Sequence, residues 1–123
     1  MLELVDVHTY YGKSYVLQGI SLKVKEGSVV ALLGRNGMGK TTTINTIIGF
    51  TPPRRGRVIF KGKDITGLQP YQIAQMNIGL IPQGRCIFPS LSVEENLTLG
   101  ARGGATTGGW TLDRLYSVFP ILK

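Results

Sequence analysis

One cysteine, one histidine and one tryptophan are all that this 123-residue chain has of those types. A single cysteine, Cys86, leaves no internal disulfide, which excludes a disulfide-framed secreted scaffold and suits a reducing compartment. With no histidine or acid near it in sequence, Cys86 reads as a small core residue rather than a nucleophile. Long apolar runs are missing too. The longest is about five residues, against the ~20 that a membrane-spanning helix needs. Acids are scarce, 7 against 14 bases, for a net charge of +7. Phosphates, acidic partners, nucleic acid or anionic lipid could each answer that excess. The bases are scattered, however, and their densest cluster, Arg54, Arg55 and Arg57, flanks Pro52, Pro53 and Gly56 like a solvated turn. A nucleic-acid partner is therefore not expected. The start, Met1 to Asp6, carries acids where a secretory leader needs bases.

Glycine, by contrast, is abundant, and its placement is informative. Residues Gly34-Arg35-Asn36-Gly37-Met38-Gly39-Lys40-Thr41 spell G-x-x-x-x-G-K-[ST]. Glycines let backbone N–H groups crowd around a triphosphate, the lysine reaches the β- and γ-phosphates, and the hydroxyl suits Mg²⁺. The flanks fit. Residues 28–33 form a short apolar run, which predicts a buried strand. Ile44, Ile47 and Ile48 follow at helical spacing, and Gly49 then stops the helix. Strand, glycine loop and helix are what such a loop requires.

Elsewhere, alternation over Leu2, Leu4 and Val7, and again over Ile20, Leu22 and Val24, predicts two half-buried strands. Residues 57–64 predict a strand with a glycine turn, and the short links predict an antiparallel layer. Residues 70–75 predict a short helix opened by Pro70, and 78–82 a second short, apolar, buried strand. Ser92-Val93-Glu94-Glu95 is a capping box that starts a helix running to about Leu99. Gly100 to Gly109 is glycine-rich and predicts a loop, and Thr111 to Pro120 another helix.

Tyr11-Gly12, the glycine loop, Ile81-Pro82-Gln83 and Ser92-Val93-Glu94-Glu95-Asn96-Leu97 occur in the order found in ATP-binding subunits of ABC transporters, and the chain resembles them over its whole length. The stretch from Gln83 to Leu97 is most similar to the branched-chain amino-acid importer group, with its relatives for urea and short amides. The resemblance implies an α/β fold: a P-loop NTPase nucleotide-binding domain of ABC type. It would be incomplete, with an antiparallel β layer, part of the core sheet and the start of the helical subdomain. Residues 1–90 would be the nucleotide-binding core part and 91–123 the start of the helical subdomain.

It also implies roles. Tyr11 would stack on adenine with Val16 beside it, and Asn36, Gly37, Gly39, Lys40, Thr41 and Thr42 would wrap the phosphates of ATP. Thr41 and Gln83 would face Mg²⁺, with Lys40 and Gln83 serving hydrolysis. Residues from Arg85 through Ile87 and Phe88 would meet a transmembrane permease, and a second ATP-binding subunit would complete the dimer. The protein would work in the cytoplasm, peripherally on the inner face of the plasma membrane.

Three parts of the family pattern are not found: a Leu-Ser-Gly-Gly-Gln signature, an apolar run ending in Asp-Glu, and a histidine after the glycine loop. Gly103-Gly104 and Gly108-Gly109 lack the signature's flanking residues, and His8 precedes the loop. The expectation is a chain that stops before the hydrolytic half and is inactive alone. A short, non-hydrolysing nucleotide binder is the alternative. A small P-loop kinase or GTPase would leave Tyr11 and Gln83 unexplained, and no Asn-Lys-x-Asp run is present.

Overall fold

Strands β1 (Leu2–Tyr11) and β2 (Ser14–Val24) form a long antiparallel hairpin. β1 also pairs antiparallel with β3 (Arg55–Phe60), which turns through Lys61 and Gly62 into β4 (Lys63–Asp64). The sheet order is β2-β1-β3-β4. Helices α1 (Lys40–Ile47) and α2 (Pro70–Gln75) belong to the same unit, Met1–Ile81. A second unit, Pro82–Lys123, holds α3 (Val93–Thr98), α4 (Leu112–Val118) and a closing 3-10 turn, Pro120–Leu122. The computed structural model describes residues 1–84, 86–101 and 109–123. Arg85 and the glycines 103, 104 and 108 lie outside them.

A bulge sets the phase of β1. Leu4 is buried, and the next buried positions are Val7 and Thr9, an odd step that strict alternation forbids. Asp6 absorbs the extra residue at φ 47°, and the pairing shifts there against both β2 and β3. Gly56 sits opposite at φ 91°, where an added Cβ would lie 2.2 Å from the Asp6 carbonyl oxygen. The inward residues Leu4, Val7, Leu17, Val58 and Ile65 form the core, with Ile20, Ile47 and Phe60 packed against it. Thr9 and Thr46 share a buried hydroxyl hydrogen bond of 3.1 Å that ties β1 to α1.

The expected strands at 28–33 and 78–82 are not formed. Residues 28–33 are all exposed, Val29 at 99% and Leu33 at 88%, and Ile81 is 95% exposed. A strand of a parallel sheet exists only through neighbours on its edges, and no described residue pairs with either stretch. Cys86, expected in the core, is exposed; its thiol lies 3.8 Å from the Gln83 carbonyl. Of the exposed Arg54, Arg55 and Arg57, expected in a solvated turn, the last two lie in strand β3. Arg55 pairs with Asp6 at 3.2 Å, and the Arg54 guanidinium lies 4.6 Å over the Tyr10 ring.

In the second unit, Asn96 gathers the chain before α3. Its Oδ1 accepts from the Phe88 amide at 2.9 Å, and its Nδ2 faces the carbonyls of Phe88, Leu91 and Ser92 at 3.1, 3.1 and 2.9 Å. The Ser92–Glu95 capping box forms in both directions, at 3.2 and 2.7 Å. Asn96→Ala therefore frees segment 88–92 while sparing the box. Net hydrogen-bond contributions near 1 kcal/mol each set the scale. Hydrogen exchange at the Phe88 amide should accelerate about tenfold or more; unchanged exchange would remove Asn96 from this role.

Candidate functional site

The glycine loop lies open on the surface of the first unit, with residues 34–38 exposed. Helix α1 begins directly after it at Lys40, on an N-cap Gly39 at φ 86°. That glycine is required twice over. The left-handed conformation disfavours a side chain, and an added Cβ would meet Leu17 Cδ2 at 2.8 Å and Val16 Cγ1 at 3.7 Å. The same contact brings Val16 to the loop. Gly39 also accepts the Thr43 amide at 2.8 Å and the Thr43 hydroxyl at 2.9 Å, so the first turn of α1 is anchored from behind.

The start of α1 differs from those of α3 and α4. In the latter two, Ser92 and Thr111 side chains accept from the third helical amide. At α1 no side chain caps, and the first turn holds no acid. The first amides of a helix have no intrahelical partner, and the helix dipole makes that end attractive to anions. The amides of Lys40, Thr41 and Thr42 are thus suited to receive an anion's oxygens. The Lys40 ammonium donates to the Gly34 and Arg35 carbonyls at 2.5 and 2.7 Å, holding the loop against its own cation. Thr41 is exposed and Thr42 buried. Asn36 and Gly37 occupy the exposed turn of the loop.

Tyr11 ends β1 and is 47% exposed. Its hydroxyl oxygen accepts from Thr51 Oγ1 at 3.2 Å and Asn45 Nδ2 at 3.3 Å. Donors at Thr51, Asn45 and Thr42 hold its phenol below the ordinary tyrosine value, against a smaller opposing effect of burial. Next to it, on the other face of the hairpin, Tyr10 stacks on Tyr15 at 4.4 Å and 2° between planes. Tyr15 in turn meets His8, whose Nδ1 is hydrogen-bonded to the Tyr15 hydroxyl. His8 Nε2 pairs with Asp6 at 2.9 Å. His8 is therefore a strand residue fully engaged by neighbours.

Gln83 belongs to the second unit and is exposed there. That unit also contains a groove of about 530 Å³, lined among others by Ile87, Phe88, Leu91, Leu97 and Leu122. Ile87 and Phe88 are 68% and 53% exposed, which makes them surface groups rather than core. Arg85, expected beside them, lies outside the described residues. Sequence reasoning missed Asn45, Thr51 and Asn96, whose roles appear only once distant segments meet. Among the described residues there is no cluster of three metal-ligating His, Cys, Asp or Glu side chains, and no helix long and apolar enough to cross a membrane.

The family profile described as ABC transporter matches residues 17–121. Over its whole length the chain is 36% identical to the high-affinity branched-chain amino acid transport ATP-binding protein BraG of Pseudomonas aeruginosa, of which it spans 53%. Over 83% of its length it is 41% identical to the spermidine/putrescine import ATP-binding protein PotA of Mesoplasma florum, spanning 28% of that protein. A solved structure of a nucleotide-free ATP-binding cassette from an ABC transporter matches with a TM-score of 0.74 at 33% identity, over 95% of this chain and 45% of the other. The chain thus spans about half, or less, of the relatives it matches. The two curated relatives are named for different solutes, amino acids in one and polyamines in the other.

Proposed function

The chain belongs to the ABC transporter ATP-binding family, and from that premise we propose that it is the ATP-binding portion of an importer subunit serving branched-chain amino acids or related small solutes such as urea or amides. The observation that carries the nucleotide role is the start of α1: an uncapped, acid-free helix end behind a glycine loop with Lys40 folded over it. The solute reading is supported by the likeness to the branched-chain transport protein over the whole chain.

In this reading the amides from Asn36 to Thr42 surround the β- and γ-phosphates, and Lys40 trades its bonds to the Gly34 and Arg35 carbonyls for phosphate oxygens. Val16 and Tyr11 receive the adenine. Mg²⁺, which would neutralise charge on the phosphates, would be held by the Thr41 hydroxyl, exposed at the first turn of α1. Gln83 would orient water for attack. Ile87 and Phe88 would contact a transmembrane permease, which would put the protein on the inner face of the plasma membrane, and a second ATP-binding subunit would close over the nucleotide.

Phosphoryl transfer needs several charge-stabilising groups at once, and beyond the phosphate cradle these residues would add only a Mg²⁺ ligand and Gln83. The test combines equilibrium binding with turnover. The chain should bind MgATP and release no phosphate above background. Turnover that disappears with Lys40→Ala would overturn the inactive-alone reading, and absence of any nucleotide binding would overturn the proposal.

A further inference from the structure

Tyr11 is placed by residues far from it in sequence. Its hydroxyl accepts from Asn45 Nδ2 and Thr51 Oγ1, and these two donors are themselves linked. The Thr51 amide donates to the Asn45 carbonyl at 3.2 Å, so residue 51 folds back onto the last turn of α1. Both side chains converge on one phenol oxygen from a single local arrangement. The polar end of Tyr11 is thereby occupied, while 47% of the residue remains exposed. The hairpin tip beyond it has its own tie. Arg54 Nη2 donates to the Gly12 carbonyl at 3.1 Å, the Arg54 amide to the His8 carbonyl at 2.9 Å, and its guanidinium covers Tyr10.

We propose that Asn45 and Thr51 are positioning residues that hitch the base-stacking Tyr11 to α1, the helix whose opposite end grips the phosphates. The inference rests on the nucleotide reading given above and assigns two residues which that reading does not use. Holding a ring in one orientation before the ligand arrives removes an ordering cost from binding. A side chain with a free hydroxyl would have to be ordered by the base itself. Because Asn45 and Thr42 lie one helical turn apart on α1, the base platform and the phosphate grip share one rigid element. The lowered phenol titration of Tyr11, caused first by Thr51 and then by Asn45, agrees with that geometry.

The experiment compares ATP with inorganic tripolyphosphate, which has the phosphates but no base, on the intact chain. Thr51→Val keeps the shape and removes the donor. It should weaken ATP binding about three- to tenfold and leave tripolyphosphate binding unchanged. Thr51→Ser, which keeps the hydroxyl, should restore ATP affinity. The Tyr11 phenol, followed by ¹³C NMR, should titrate at higher pH in Thr51→Val than in the parent. Tyr11→Ala is the control for the reading underneath. If it weakens ATP but not tripolyphosphate while Thr51→Val changes neither, the positioning role is wrong and base stacking stands. If Tyr11→Ala leaves ATP binding intact, base stacking fails and the inference fails with it. Equal losses for ATP and tripolyphosphate in Thr51→Val would mean general disruption and would also overturn the role.

Discussion

Replacing Lys40 by alanine should weaken MgATP binding about 10- to 100-fold and leave the unfolding midpoint nearly unchanged. The two halves of that result have separate causes. The ammonium now bonds two carbonyls, of Gly34 and Arg35, on an exposed loop. Released to water, those carbonyls lose little, because exposed acceptors are resolvated. A phosphate oxygen has no such substitute. A charge-assisted hydrogen bond to it contributes about 1.5–3 kcal/mol, a factor of roughly 10 to 150 that brackets the stated fold-change. Lys40→Arg should not fully restore binding, since a planar fork does not reproduce a compact point charge inside a tight loop. Calorimetric titration together with thermal unfolding reads both halves. Binding equal to the parent would remove Lys40 from the phosphate site.

Gly56→Ala should be the most destabilising single methyl addition in the hairpin sheet, costing about 3 kcal/mol or more. Two effects add. A φ of 91° is outside the range an alanine adopts without strain, worth about 1–3 kcal/mol. The new Cβ would also lie 2.2 Å from the Asp6 oxygen and 2.6 Å from the Val5 oxygen, both main-chain atoms that cannot rotate away. Relief requires moving the β1 bulge, and with it the Asp6 pairs to His8 and Arg55. Gly62→Ala is the comparison. It is also left-handed, at φ 79°, but no atom lies within 4 Å of its added Cβ, so it should show the strain cost alone. Denaturant unfolding of both variants separates clash from strain. Similar losses in the two would show that the Asp6 approach carries no cost.

The parts of the fold that the sequence made legible are those with local causes. The helix after the glycine loop, the Pro70 helix and the Ser92–Glu95 box are written in residues one to four positions apart, and all three form. The antiparallel hairpins were legible because alternation and short turns are also local. The apolar runs at 28–33 and 78–82 are different. Their β character is a property of neighbours, and without a ladder partner among the described residues they stay irregular; 28–33 and 79–82 are exposed, while Ile78 alone packs against the core. The site divides the same way. The loop, with its lysine and threonines, is contiguous and could be read directly. The partners of Tyr11 are 34 and 40 residues away, so no spacing rule could reveal them. Asn96 lay within a recognised stretch, but its four hydrogen bonds appear only when the preceding turn folds around it.

The central claim, that the uncapped end of α1 and its glycine loop receive the phosphates, is tested most directly by following backbone amide resonances of the ¹⁵N-labelled chain during MgATP titration. The account predicts the largest shifts at Gly37, Gly39, Lys40, Thr41 and Thr42, with tripolyphosphate reproducing them. Shifts centred elsewhere, as on the Arg54–Arg55 pair, or none along residues 36–42, would contradict it.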